Sequence, residues 1–325
     1  MKSLCVVMDP IEMVNFAKDT TLGLLMAAQR ANFQLFYTLQ NQLFMRDSEP
    51  FAEMRPLKVF DDSNLWYSLG ASQSRPLSGL NVVLMRKDPP FDNEYLYSTY
   101  ILEAAEKRGC LVTNRPSSLR DCNEKIFATY YPNCTPPLLV SSDQKRLKEF
   151  VEKHNDTVLK PLDGMGGTSI FRVKLNDPNL NVILETLTKN GHQTIMAQSY
   201  IPQISAGDKR ILIVGGEVVP YCLARVPSKN DFRGNLAAGG KGIVQPLSSR
   251  DHWIASQIAA SLVSRGLLLV GLDIIGDFLT EINVTSPTCA REIERVTNLQ
   301  ICDQFIEALE KQLFEKKKDN LNLMF

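Results

Sequence analysis

The run VGLDIIGDFLTEINVTSPT, Val270–Thr288, sets three oxygen-bearing side chains, Asp273, Glu281 and Asn283, into otherwise apolar sequence. Two short apolar stretches flank Gly276-Asp277, which reads as a β-hairpin. Side chains alternate between faces along a strand, so the length of the connection decides which of the three share a side. A two-residue turn pairs Asp273 with Thr280, separates the two carboxylates, and mixes Glu281 and Asn283 with Val270, Leu272 and Ile274. A three-residue connection carrying a bulge places Asp273 across from Glu281, with Asn283 following on the same side. The other face then collects Val270, Leu272, Ile274, Thr280, Ile282 and Val284, so sorting by polarity selects the odd connection. Carboxylates opposed across a ladder, ~5 Å apart at Cβ, repel each other unless a cation sits between them. An all-oxygen set suits a hard ion such as Mg²⁺; solvation of the face, or pairing with Arg, would answer the same charge.

A second motif, KPLDGMGGTS, puts Lys160 at a strand end and Gly164, Gly166 and Gly167 in the turn after it. Glycines let backbone N–H groups close on phosphate oxygens without a Cβ in the way. The spacing is neither a Walker loop nor a dinucleotide fingerprint, and such a turn can simply be a turn. With Lys160, the earlier Lys125 and an all-oxygen metal site it becomes a nucleotide-triphosphate hypothesis, because phosphoryl transfer needs magnesium, lysines and fixed donors around the phosphates.

Arg86, Arg210, Arg225 and Arg233 lie near expected strand ends or in loops, with Asp208 beside Arg210 in SAGDKR. A lone Arg is usually a surface residue; four so placed point to an anionic, carboxylate-rich substrate. The segment 226–242 has the composition of a lid, with glycines to hinge and one Arg to reach in, or else of a loop without a role.

These groups need elements to hold them. Strands are expected at Leu4–Met8, Phe33–Thr38, within LNVVLMRKDPPFD and at Cys110–Thr113, with helices from Asp19 to Arg30 and from Glu94 to Arg108. Apolar runs separated by helices imply a parallel sheet, which takes ligands at the carboxyl ends of its strands, where Arg86 and Lys87 fall. The rhythm changes near residue 120. DCNEKIFATYY reads as a helix, followed by a strand at Leu138–Val140, a helix at Asp143–His154, and hairpins turning at the glycine motif, at Gly215-Gly216 and at Gly276-Asp277. Amphipathic helices are expected from Asp251 to Arg265 and from Ile301 to Phe314, with the tail EKKKDNLNLMF frayed.

The chain has 325 residues, with Lys plus Arg equal to Asp plus Glu at 36 each, which argues against a broad nucleic-acid or acidic-membrane surface. LCVVMDP is too short for a signal peptide and nothing later approaches a membrane span. Seven scattered cysteines, at 5, 110, 122, 134, 222, 289 and 302, support neither a zinc site nor a disulfide framework, and a cytoplasmic protein with buried thiols is expected. His154, His192 and His252 lie outside the motifs.

Together VMDP, LMRKDPPFD, SLRDCNEK, LKPLDGMGG, NLAAGG and VGLDIIGD.LTEINVTSPT resemble the bacterial type of glutathione synthetase, a member of the ATP-grasp ligases, from about Leu4 to Glu294. The resemblance implies an α/β (α+β) ATP-grasp fold: an N-terminal parallel α/β domain over 1–122, a central subdomain over 123–200, and a catalytic subdomain over 201–325, two antiparallel sheets enclosing ATP. It implies ligation of glycine to the cysteinyl carboxylate of γ-glutamylcysteine through an acyl phosphate. Asp273, Glu281 and Asn283 match the family's magnesium ligands, with Mn²⁺ an alternative. Lys125, Lys160, Gly164, Gly166 and Gly167 match its phosphate contacts, and Gln198, Tyr200, Ile201 and Asp208 its nucleotide side. Arg86, Arg210, Arg225, Ser286, Thr288 and Glu292 fall where it holds the peptide and the reacting carboxylate; Arg233 and Gly240 match its lid. Relatives of this type are tetramers. Lys241 stands where the resemblance leads one to expect Arg. The neighbouring readings are another ATP-grasp carboxylate–amine ligase, of the D-alanine-joining or glutamate-adding type, and a non-catalytic ATP-binding protein of the same fold.

Overall fold

The computed structural model describes residues 2–228, 234 and 239–322. The chain opens with strand β1 (Lys2–Val7), helix α1 (Thr20–Arg30) and β2 (Phe33–Thr38). Asp19 caps α1, its carboxylate accepting the Leu22 N–H at 2.6 Å, as the sequence anticipates. Four strands, β3 (Leu43–Arg46), β4 (Glu49–Val59), β5 (Tyr67–Leu69) and β6 (Gln73–Pro76), fill the stretch with no clear reading from sequence. Then come β7 (Val82–Met85), α2 (Asn93–Lys107), β8 (Leu111–Thr113) and α3 (Pro116–Asp121). β2, β1, β7 and β8 pair in parallel in that order, and β4 adds antiparallel to β2. Arg86 follows β7 directly, at the carboxyl edge where a parallel sheet takes ligands.

The helix expected over DCNEKIFATYY is broken. α3 stops at Asp121, and only a 3-10 turn forms at Phe127–Tyr130. The Asn123 carboxamide oxygen accepts the N–H groups of Lys125 and Ile126, at 3.2 and 3.1 Å, so a local turn outcompetes the helix.

A second sheet runs β11-β10-β12-β9, built from β9 (Leu138–Ser141), β10 (Asp156–Pro161), β11 (Phe171–Lys174) and β12 (Ile195–Ser199). Helices α4 (Gln144–His154) and α5 (Leu180–Thr188) accompany it. A third sheet, β15-β14-β13-β16-β17, contains β13 (Asp208–Val214), β14 (Glu217–Val226), β15 (Lys241–Pro246), β16 (Leu269–Ile275) and β17 (Phe278–Asn283). Its helices are α6 (Ser249–Ser264), α7 (Ala290–Val296) and α8 (Ile301–Asn322). The tail expected to fray instead extends α8 as far as Asn322, and Lys316 donates to the Cys110 carbonyl at 2.7 Å beyond the end of α2.

The sheets divide the apolar interior unequally. Two cores draw on the first and third sheets together: Cys5, Val83 and Leu272 meet in one, and Leu25, Leu212 and Phe305 in the other. The second sheet packs on a core of its own, with Leu147, Leu159, Leu184 and Ala197. Alternation along β10 and β12 gives that core Leu159 and Ala197, and turns Val158, Lys160 and Gln198 to a cleft facing the third sheet.

Candidate functional site

On the third sheet, Asp273 pairs directly with Glu281 and Gly271 with Asn283, so the three oxygen-bearing side chains share one face. The route to that register differs from expectation. Ile275 pairs with Phe278, which leaves a turn of two residues, and the ladder slips between Asp273 and Ile274 so that Thr280 is the extra residue. A surplus residue anywhere between the turn and the carboxylates has the same effect on facing. Val270, Leu272, Ile274, Ile282 and Val284 form the apolar side, each fully buried. Thr280, expected among them, lines the cleft instead and donates its hydroxyl to the Asp273 carbonyl at 3.1 Å.

Each carboxylate is answered by two cations of the chain. Arg210 lies across from Asp273 on β13, donating Nε to Oδ1 at 2.6 Å and Nη2 to Oδ2 at 3.1 Å. Arg225 reaches Asp273 Oδ2 at 2.9 Å and also pairs with Asp208, its partner across the β13–β14 ladder. Glu281 faces Lys160 at 3.6 Å and Lys125 at 3.7 Å. Burial alone would raise the Asp273 carboxyl, but the two guanidiniums override it and hold that carboxyl below the ordinary range. Burial pushes Asp208 up, with the Asp273 charge adding to it and Arg225 opposing, and Asp208 Oδ1 is buried without a partner. Burial likewise lowers Lys160, against the pull of Glu281.

Gly271 explains how Arg210 reaches across. A Cβ there would sit 2.9 Å from Arg210 Cδ and 3.1 Å from Pro287 Cβ, so the Arg210 side chain passes over bare backbone. Sequence reasoning passed over this glycine, although a glycine inside an apolar strand is itself a signal of close approach.

Beside the carboxylates lies a cleft between the second and third sheets, lined by Lys125, Lys160, Gly164, Gly166, Gly167, Gln198, Tyr200, Ile201 and Asp208. Gly166 and Gly167 adopt φ +64° and +81°, a left-handed bend, and a Cβ on Gly166 would meet nothing within 4 Å. Lys125 Nζ donates to the Gly164 carbonyl at 2.8 Å, tying the loop to the Glu281 side. Gln198 Nε2 is buried with no hydrogen-bond partner, a donor left over in the wall of this cleft.

A second cavity shares Gly164, Gly166, Asp273 and Glu281 with the first and adds Arg210, Arg225, Asn283, Ser286 and Thr288. A third shares Ser286 and Thr288 and ends at buried Arg86, which donates to Thr21 Oγ1 at 3.0 Å and to the Pro287 carbonyl at 2.8 Å. Together they make a trough in which the Asp273–Glu281 pair lies where the first and second cavities meet, and Ser286 and Thr288 lie where the second and third meet. Glu292 lines none of these cavities; burial raises its carboxyl, and Oε2 is buried and unpartnered. Arg233 and most of the 226–242 segment lie outside the described residues. Gly240 precedes β15, and a Cβ on Gly234 would fall 2.5 Å from the Arg225 carbonyl oxygen and 3.0 Å from Asp208 Cβ.

Among the described residues no three His, Cys, Asp or Glu side chains converge as a metal-binding group. The candidate set is two carboxylates and an amide, all oxygen donors, with Asn283 Nδ2 engaged on the Gly271 carbonyl at 3.2 Å. That chemistry fits a hard divalent ion. All seven cysteines are buried and unpaired.

Family models match nearly the whole chain: the prokaryotic glutathione synthetase N-terminal domain over residues 1–120 and the prokaryotic glutathione synthetase ATP-grasp domain over residues 124–298. The glutathione synthetase of Pseudomonas aeruginosa is 58% identical over 310 residues, covering 95% of this chain and 98% of that protein. That of Shewanella oneidensis is 55% identical over 313 residues, covering 96% of this chain and 99% of that protein. That of Vibrio cholerae is 51% identical over 313 residues, covering 96% and 98%. Among solved structures, D-cycloserine synthetase DcsG superposes with a TM-score of 0.65 at 13% identity, covering 96% of this chain and 99% of that one. The ATP-grasp ligase PsnB, complexed with a minimal precursor, gives 0.61 at 16% identity, covering 96% and 99%. At those identities the structures speak for the fold, which is ATP-grasp.

Proposed function

This chain belongs to the prokaryotic glutathione synthetase family, and from that premise we propose how its own residues carry the reaction. It is an ATP-dependent ligase that forms glutathione, joining glycine to the cysteinyl carboxylate of γ-glutamylcysteine. The observation that supports the site assignment is the trough divided by Asp273 and Glu281, with Lys125 and Lys160 on one side, buried Arg210 and Arg225 on the other, and Gly164 and Gly166 lining both.

A carboxylate is a poor acyl donor, so the γ-phosphoryl of ATP is transferred to one oxygen of the cysteinyl carboxylate, giving an acyl phosphate and ADP. The glycine amine, having lost a proton, attacks the carbonyl carbon, the amide C–N bond forms, and inorganic phosphate leaves with the C–O bond pair. Lys125, Lys160 and the loop at Gly164, Gly166 and Gly167 hold the phosphates. Gln198, Tyr200 and Ile201 take the base, for which the unpartnered Gln198 donor is suited, and Asp208 lies on the same side. Arg210 and Arg225 orient the reacting carboxylate and neutralise charge on the tetrahedral intermediate. Arg86, Ser286 and Thr288 hold the far end of the peptide; Glu292, which lines none of the cavities, is left out of this assignment. Arg233 and Gly240 belong to a lid that keeps water from the acyl phosphate.

Asp273, Glu281 and Asn283 would hold Mg²⁺, or Mn²⁺ in its place; the ion would neutralise phosphate charge during transfer. Arg210 and Arg225 already engage Asp273, so a cation would compete with these guanidiniums for that carboxylate, and its binding would free them for the substrate's own carboxylate. The three sheets support a division at 1–122, 123–200 and 201–325, the middle part having its own core. No helix among the described residues is long and apolar enough to cross a membrane. A cytoplasmic setting and a homotetramer rest on the family resemblance.

The test is phosphate release measured with each component omitted in turn. Release should need ATP, Mg²⁺, γ-glutamylcysteine and glycine together. Turnover with D-alanine alone, or tight ATP binding without turnover, would overturn the reading.

A further inference from the structure

Glu124 sits beside Lys125 but has no part in the chemistry above. Its Oε1 accepts three hydrogen bonds from one short segment: Val284 N–H at 2.9 Å, Thr285 N–H at 3.1 Å and Thr285 Oγ1 at 2.8 Å. Its carbonyl accepts the Ile282 N–H at 2.8 Å, so it adheres to the end of β17 with both main chain and side chain. β17 stops at Asn283, and past that point the sheet offers Val284 and Thr285 no ladder partner. The Val284 carbonyl is held from the opposite side by the buried Asn114 Nδ2 at 2.7 Å. Both main-chain groups of Val284 are therefore satisfied by side chains from outside the hairpin, which spares a buried segment the penalty of unpaired backbone groups.

The segment so fixed is the one that turns toward the peptide end of the trough. Ser286 and Thr288 line the second and third cavities, and the intervening Pro287 carbonyl receives Arg86. On the nucleotide side the same short strip works through a different residue, since Lys125 pairs with Glu281 and the Gly164 carbonyl.

We infer that Glu124 is a positioning residue for the peptide substrate: by gathering Val284 and Thr285 on one oxygen it sets Ser286 and Thr288 at the peptide end of the trough. This rests on the reading that 284–288 holds the peptide, and it separates the roles of two adjacent residues, Glu124 for the peptide and Lys125 for the nucleotide. It needs an acceptor, not a negative charge. A glutamine keeps an amide oxygen where three donors converge, and those donors select the oxygen over the amide nitrogen.

Steady-state kinetics on the full chain, each substrate varied in turn, tests it. Glu124→Ala should raise KM for γ-glutamylcysteine about tenfold and lower kcat by up to about a hundredfold, as small misplacements of a substrate can do, with KM for ATP within about twofold. Glu124→Gln should keep at least about a third of the wild-type kcat/KM. The inference falls if the Gln variant is as damaged as the Ala variant, which would assign a charge or proton-transfer role. It also falls if the Ala variant behaves as wild type, or if KM for ATP rises as far as that for the peptide. Should Glu124→Ala fail to fold, Thr285→Val removes one of the three bonds and should raise KM for the peptide about threefold, an unchanged KM overturning the idea. A wild-type chain that makes no glutathione would instead sink the functional reading.

Discussion

Arg210 and Asp273 face each other across the β13–β16 ladder and share two hydrogen bonds, at 2.6 and 3.1 Å, while Arg225 holds the same carboxylate from β14 at 2.9 Å. One anion thus serves two buried cations. Removing it strands Arg210 and leaves Arg225 with Asp208 alone, and this asymmetry makes Asp273 a structural residue as well as a candidate ligand. Asp273→Asn should cost about 3–5 kcal/mol of stability, as loss of one partner from a buried ion pair does, and should abolish turnover. Urea unfolding of the variant checks the first part; a loss below about 1 kcal/mol would show that the guanidiniums find other partners.

Glu281 is different, being partly exposed and facing lysines at 3.6 and 3.7 Å without a close hydrogen bond to either. Glu281→Gln should leave thermal unfolding nearly unchanged while reducing kcat by about 10²–10³-fold, the scale for losing one aligned charge in a transition state. Chelation of divalent ions should silence the wild type, with recovery on adding Mg²⁺. Near-normal activity of the variant would remove Glu281 from the metal site.

Gly271 leaves the path along which Arg210 crosses the strand. Gly271→Ala should displace that guanidinium and lower kcat by about tenfold to a hundredfold, with KM for ATP hardly altered because the proposed nucleotide cleft opens on the other side of the carboxylates. A crystal structure of the variant with Arg210 unmoved would rule the explanation out.

Asp208 supplies a pH signature. Burial and the neighbouring Asp273 charge push its carboxyl from 3.8 up to about 7, despite Arg225. The folded form therefore holds a proton more tightly than the unfolded one, so folding takes up a proton inside that window. The associated stability is complete below the lower value and disappears as pH climbs through the upper one. Relative to Asp208→Asn, which cannot titrate, the wild type should lose melting temperature between about pH 4 and about pH 7. A relative gain over that range would contradict the assignment.

The carboxylate pairing was legible because Val270, Leu272, Ile274, Ile282 and Val284 leave only one polar face to choose, and the structure buries all five. The position of the extra residue was not legible, since a loop insertion and a bulge at Thr280 sort the side chains alike. The break after Asp121 was hidden because Asn123 acts through its own side chain on backbone two and three residues ahead, which periodicity cannot register. The extended α8 was hidden for the opposite reason: Lys316 finds the Cys110 carbonyl 206 positions away, and a lysine-rich tail read alone shows only charge. Arg210 and Arg225 were visible as anion binders, but their capture by Asp273 depends on a register among three strands that only the folded sheet defines.

Thr280 has a further consequence, one of counting rather than chemistry. Because it adds half a pleat between the turn and Glu281, the side on which Glu281 and Asn283 emerge is set by the number of residues in that arm of the hairpin. Deleting one residue from it would rotate both side chains inward among the aliphatics while leaving every one of them present in the chain. Such a frame slip is invisible to a survey that swaps residues one at a time, yet it would dismantle the site more completely than most replacements.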